Sequence, residues 1–148
     1  MTVSDGVAAR IRQVRKRRDW SPADLAERCA ALGAADLTEN VIENIESRSA
    51  RASKRPRPVT VDEMLALAAA LNVAPVHLLV PVDDFGESYR ITSGVSERAD
   101  KVRHWIRGVL PLRDGDPREF FAEVPRTEYD WKQQGVSWPL PSDQGDGA

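Results

Sequence analysis

The side chains with the most specific chemistry fall between residues 38 and 44: Thr38, Glu39, Asn40, Glu43 and Asn44. Apolar Val41, Ile42 and Ile45 interrupt them at helical spacing, so on a helix the polar set faces outward and the apolar set inward. An asparagine amide donates and accepts at once, which suits a bidentate pair with adenine N6 and N7, and a glutamate can accept from cytosine N4. The opposing reading is a solvated helix face, because carboxylates are repelled by phosphates unless they meet a cytosine. A second group follows directly: the stretch from Arg48 to Pro58 holds Arg48, Arg51, Lys54, Arg55 and Arg57 and no acid. With no periodic apolar residue and with Pro56 and Pro58, it reads as a loop suited to tracking a phosphate backbone, giving affinity with little specificity. If all five cations met phosphates, the log-log salt slope would gain at most about −4.5 per subunit, at roughly −0.9 per phosphate. The plainer alternative is a loop that is merely solvated.

Other chemistry is hard to build from this chain. There is no phosphate-cradling G-x-x-x-x-G-K-[ST] loop, no H-E-x-x-H, no G-x-S-x-G and no cysteine with an evident base partner, so no enzymatic activity is expected. His77 and His104 stand without a second ligand at metal spacing, and Cys29 is the only cysteine, on the apolar face of a helix and expected in the core. No metal and no cofactor are expected. A single cysteine excludes an intramolecular disulfide and fits a reducing compartment.

Charge points the same way once it is divided along the chain. The net charge is −2, but residues 1–81 hold 12 Lys/Arg against 10 Asp/Glu, and residues 82–148 hold 9 against 13. The N-terminal cations are also clustered, in Arg10, Arg12, Arg15, Lys16, Arg17 and Arg18 as well as in the loop. Such clustering, more than total charge, makes a phosphate-binding patch. The longest nearly apolar stretch, Val73 to Val82, is broken by two prolines and His77, and the N-terminus has no apolar block behind its charges. No membrane partner and a cytoplasmic location are therefore expected.

The elements that must position these residues are predicted to be helices. Val7, Ala8, Ile11 and Val14 mark a first helix to Arg18; Ser21 as N-cap and Pro22 open a second, with Leu25, Ala26, Cys29 and Leu32 inward and Gly33 closing it. Thr38 caps a third helix that ends near Ser47. Thr60 caps a fourth, with Met64, Leu65, Leu67, Ala68 and Leu71 toward a core and Asn72 at its end, and Ala74 to Leu79 forms a short fifth. Residues 82–95 read as a linker in which Tyr89 to Thr92 could make a minor strand. Ser96 is expected to cap a sixth helix reaching about Val109, with Ala99, Val102, Ile106 and Val109 on one stripe, and a seventh runs from Pro117 to Glu123. Trp105 and Ile106 together would be costly to leave in water, so the sixth helix is expected to pack on the head or to join two copies, ahead of touching DNA through Arg98, Lys101, Arg103 and Arg107. The tail, 125–148, is expected to be flexible.

The pieces IRQVRKRRDWSPADLAERC, LTENVIENIES and VTVDEMLALAAALNVAPVHLLVP, in this order and spacing, resemble the lambda-repressor-like (Cro and xenobiotic-response-element) helix-turn-helix family, and look closest to actinobacterial regulators of it. The resemblance covers Ala8 to Pro81, about half the chain. It implies an all-α fold with a five-helix helix-turn-helix domain over 1–81; the residues beyond it read as the linker 82–95, a C-terminal helical extension over 96–124 and the tail 125–148. It implies a sequence-specific DNA-binding transcriptional regulator whose recognition helix is Thr38 to Glu46. It also implies a bridge from Arg15 to Glu46 that orients this helix; Arg15 as a phosphate contact is the alternative. The expected partners are double-stranded DNA and a second copy of the chain on a two-fold site. The rival reading is a protein-binding module, an antitoxin or adaptor, that turns the acidic face of helix three to an unidentified protein. Three positions depart from the family pattern: Pro22 stands where many members carry glutamine, the connection between helices two and three is longer, and Arg48 replaces a glycine that commonly ends the recognition helix.

Overall fold

A computed structural model describes residues 2–50, 57–82, 86–113 and 115–125, with residues 48–50 described in backbone only. The described chain is mostly helical, with seven helices and one two-stranded sheet.

Each of the first helices begins where a short polar side chain satisfies the unpaired N–H groups of the first turn. Helix α1 (Val3–Arg17) starts four residues before the predicted Val7, because Thr2 and Asp5 form a reciprocal capping box. It buries Val7, Ala8, Ile11 and Val14, the predicted stripe, and also Arg10 and Arg15. Helix α2 (Pro22–Ala31) is opened by a Ser21/Asp24 capping box with Pro22 in its first turn. It closes at Gly33, whose φ of +88° lets the chain reverse while Ala34 N–H donates to the Cys29 carbonyl. Leu25 and Cys29 are buried, and desolvation pushes the Cys29 thiol above its ordinary range.

Helix α3 spans Glu39–Ala50, about one turn longer than predicted. It continues past Ser47 because Arg48, lacking glycine's left-handed freedom, offers no easy stop; the Ser47 hydroxyl donates back to the Asn44 carbonyl at 2.9 Å. Helix α4 (Val61–Ala70) starts at a Thr60/Glu63 capping box and ends before Asn72, in the left-handed region at φ +47°. Helix α5 (Pro75–Leu79) follows, with Pro75 in its first turn.

Beyond Pro81 the structure departs from the predicted linker and long helix. Strands β1 (Ser88–Arg90) and β2 (Ser96–Arg98) form an antiparallel hairpin in register Ser88↔Arg98, Tyr89↔Glu97 and Arg90↔Ser96. Ser96 therefore pairs in a strand and does not cap a helix; α6 (Ala99–Ile106) starts where Ala99 N–H donates to the Glu87 carbonyl. It stops short of Val109 because Gly108, at φ +69°, closes it with Val109 N–H on the His104 carbonyl. Helix α7 (Pro117–Ala122) is capped by Asp116. The expectation for the tail lies outside the described residues apart from Pro125.

One core cluster joins α1 to α5 around Ile11, Leu25, Ile42, Ile45, Leu67, Leu71 and Leu78, all at most 1% exposed. A second, smaller one gathers Tyr89, Ile91, Trp105 and Ile106 around buried Val80, Ala99 and Val102. Leu79 packs against both. Tyr89 Oη donates to the Leu79 carbonyl at 2.7 Å, and Arg103 Nη1 donates to the Pro81 carbonyl. Helix α6 thus packs on the hairpin and on α5 of its own chain. No helix among the described residues is long and apolar enough to cross a membrane.

Candidate nucleic-acid interface

Helix α3 presents the five polar residues from a fixed base. Its inner face, Ile42 and Ile45, is fully buried, and the helix packs against both α1 and α2. On the other side Thr38, Glu39 and Asn40 are exposed, while Glu43 and Asn44 are half-buried. Thr38 also starts the helix: its hydroxyl accepts from Val41 N–H at 3.4 Å and its carbonyl from Ile42 N–H at 3.0 Å. The amides of Asn40 and Asn44 and the carboxylate of Glu39 stand on the first two turns, where an inserted helix meets base edges.

The orientation of α3 is fixed by a buried ion pair. Arg15 Nε and Nη2 donate to the two oxygens of Glu46 at 2.7 and 2.6 Å, in the fork geometry that matches a carboxylate. Both side chains are nearly excluded from water, at 8% and 7% exposure. The Glu46 hydrogen bonds raise the Arg15 pKa, and the nearby charges of Glu46 and Glu43 add to this. The third nitrogen, Nη1, donates to the Trp20 carbonyl at 2.6 Å, so one guanidinium ties α1, the α1–α2 turn and α3 together. This is the expected bridge, with Nε, Nη1 and Nη2 of Arg15 all engaged within the chain.

The predicted basic loop divides. Arg51, Lys54 and Arg55 lie outside the described residues, and Arg48 sits in α3 with only its backbone described. Arg57 is paired within the chain. Its guanidinium donates to both oxygens of Glu63, at 3.0 and 2.6 Å, which draws it onto the α4 capping box. The pairing pulls the Glu63 carboxyl below its ordinary range and raises Arg57. Of the four cations expected around α6, Arg98 at the end of β2 pairs with Asp100 at 3.1 Å, Arg103 donates to the Pro81 carbonyl and Arg107 meets His77, while Lys101 is exposed.

Two groupings were not foreseen. Around the α1–α2 turn, the guanidinium carbon of Arg28 lies 3.7 Å and that of Arg18 5.1 Å from the ring centroid of Trp20. Each such cation–π contact contributes about 0.5–1 kcal/mol at an exposed position. Arg28 is one turn beyond Asp24 on α2, and a tryptophan just before a helix N-cap is the only sequence signal for it. The second grouping joins head to extension: Arg10 Nε donates to the His77 carbonyl at 3.1 Å, and His77 Nε2 lies 2.6 Å from Arg107 Nη2. An arginine only donates, so His77 accepts there as a neutral imidazole. Burial lowers its pKa first, and Arg107, Arg10 and Arg103 lower it further. No spacing in the sequence brings residues 10, 77, 103 and 107 together; only the packing of α6 does. Among the described residues, no three His, Cys, Asp or Glu side chains are placed to hold a metal ion. Comparison of the chain with protein-family models, with curated proteins and with solved structures finds no match to any of them.

Proposed function

We propose that this chain is a sequence-specific DNA-binding transcriptional regulator of the lambda-repressor-like helix-turn-helix kind, with α3 in the major groove. The observation that carries the reading is the division of α3: Ile42 and Ile45 are fully buried and the Arg15–Glu46 pair locks its rear, while Thr38, Glu39 and Asn40 stand exposed at its front. A helix anchored along one side by two others, with amides and a carboxylate on its leading turns, has the shape and chemistry for direct readout. Specific binding by so small a head calls for a second half-site, so the reading includes a homodimer on a two-fold operator.

The test is Asn40→Ala combined with Asn44→Ala in gel shifts. The double variant is expected to lose affinity for a selected site while keeping most of its affinity for random duplex. Equal loss on both would remove the asparagines from the reading surface.

A second reading is favoured by the acids on the same face. Glu39 and Glu43 would suit a basic protein partner, which makes the chain an adaptor or antitoxin-like binding module. Low-salt chromatography on heparin and random DNA separates the two: retention supports the DNA reading, and passage without delay supports the protein partner.

A further inference from the structure

We infer that Arg28 and Arg18, whose guanidinium carbons lie over the Trp20 ring at 3.7 and 5.1 Å from its centroid, are preorganised contacts for the phosphate backbone of duplex DNA beside α3. This rests on the DNA-binding reading above and adds to it a second surface outside α3 and outside the basic loop.

Position is the first support. Trp20 is fastened at both its backbone groups: its N–H donates to the Arg15 carbonyl at 3.2 Å, and its carbonyl accepts from Arg15 Nη1 at 2.6 Å. Since the same guanidinium holds Glu46, the turn sits against α3 on the side where Glu43 also acts on Arg15. The turn is thereby held to α3 through Glu46, near the C-terminal half of the helix.

Chemistry is the second. A guanidinium that lies flat on an indole spends its apolar face on the ring and leaves its N–H edge for an oxyanion. Arg28 is exposed and Arg18 half-buried, so these edges are accessible. Asp24, one turn before Arg28, is engaged by the α2 cap: it accepts from Ser21 N–H at 2.7 Å and from the Ser21 hydroxyl at 2.9 Å. Those bonds, the backbone one foremost, and the charge of Arg28 hold its pKa down. Lys16 is exposed in the last turn of α1 and adds to the local positive potential. By contrast Arg57, the one loop cation with a described side chain, is bound to Glu63. Ordering an arginine before binding removes part of the rotamer entropy that a flexible cation loses on contact.

The experiment measures binding of the full chain to a short random-sequence duplex over a series of salt concentrations. Arg28→Gln and Arg18→Gln are each expected to flatten the log-log salt slope by about 0.9, the contribution of one phosphate contact. Arg118→Gln, an exposed change of equal charge on α7, is expected to leave the slope at the wild-type value. Arg28→Lys keeps the charge but loses the flat stack, so it should keep the slope and bind roughly two- to tenfold more weakly. Wild-type binding with unchanged slopes in both glutamine variants overturns this assignment alone. An Arg28→Lys variant as tight as wild type overturns the role of Trp20. A wild-type chain with no affinity for the duplex overturns the DNA reading itself, and this contact with it.

Discussion

At the scale of single residues, Arg15 ties α1, the α1–α2 turn and α3 together. It satisfies a buried carboxylate and a turn carbonyl at once, with distances of 2.6 to 2.7 Å to all three oxygens. Removing one partner of such a pair leaves an uncompensated buried charge, which costs about 3–5 kcal/mol. Glu46→Ala should therefore lower the unfolding free energy in urea by that amount, and a loss below about 1 kcal/mol would mean that water reaches Arg15. Replacing both partners by apolar residues of similar volume should restore much of the stability, because the cost lies in the orphaned charge and not in the pair. Arg57 behaves differently, since its partner Glu63 is a helix cap at a partly exposed site. Arg57→Gln is expected to leave the salt slope of DNA binding unchanged, and a slope flattened by about 0.9 would return this residue to the interface.

At the scale of elements, the junction of α5 and α6 is where pH should act. His77 accepts from Arg107 only while neutral, and burial with three arginines around it holds its pKa below the ordinary 6.5. In the unfolded chain the same imidazole binds a proton near its ordinary value, so between the two values the unfolded state holds more protons. Stability is then full above about pH 6.5 and falls as pH drops through that window toward the lowered value. His77→Gln should remove this component, which urea titrations of both proteins at pH 7.5 and at pH 5.5 would detect. An equal pH dependence in the two would place its source elsewhere. The same junction shows what a sequence reveals and what it conceals. The α1, α2 and α4 stripes were legible for the most part from helical spacing, with Ser21 and Thr60 marking two of the starts, but Leu32 and Leu65, expected inward, are exposed at 60% and 50%: Leu32 is the C-cap residue beyond the last turn of α2, and Leu65 lies off the arc of Leu67, Ala68 and Leu71. The Arg15–Glu46 bridge was reached through resemblance. The hairpin was half-legible, since strands of three residues carry too little alternation to separate them from a loop, and Ser96 signals a helix cap as readily as a strand. The end of α3 was misjudged because a missing glycine was read as a weakened stop when it left no stop before residue 50. The Trp20 stack and the His77 cluster depend on side-chain directions and long-range packing, for which spacing carries no signal.

At the scale of the whole molecule, two clusters of buried apolar residues meet at Leu79, and the hydrogen bonds from Tyr89 and Arg103 to the carbonyls of Leu79 and Pro81 secure the second to the first. The extension therefore packs on α5, and among the described residues Glu39 and Asn40 at the front of α3 remain exposed. Tyr89→Phe, which removes one such bond, should cost about 1 kcal/mol of stability and leave DNA affinity unchanged; a loss of affinity would mean that the extension itself shapes the reading surface. The central claim is that α3 reads base sequence, and selection of bound duplexes from a randomised pool by the full chain, followed by sequencing, tests it most directly. Enrichment of one motif with two-fold symmetry, lost when Asn40 and Asn44 are both changed to alanine, is the expected result. Recovery of a pool no different from the input, or of the same motif with the double variant, would contradict it.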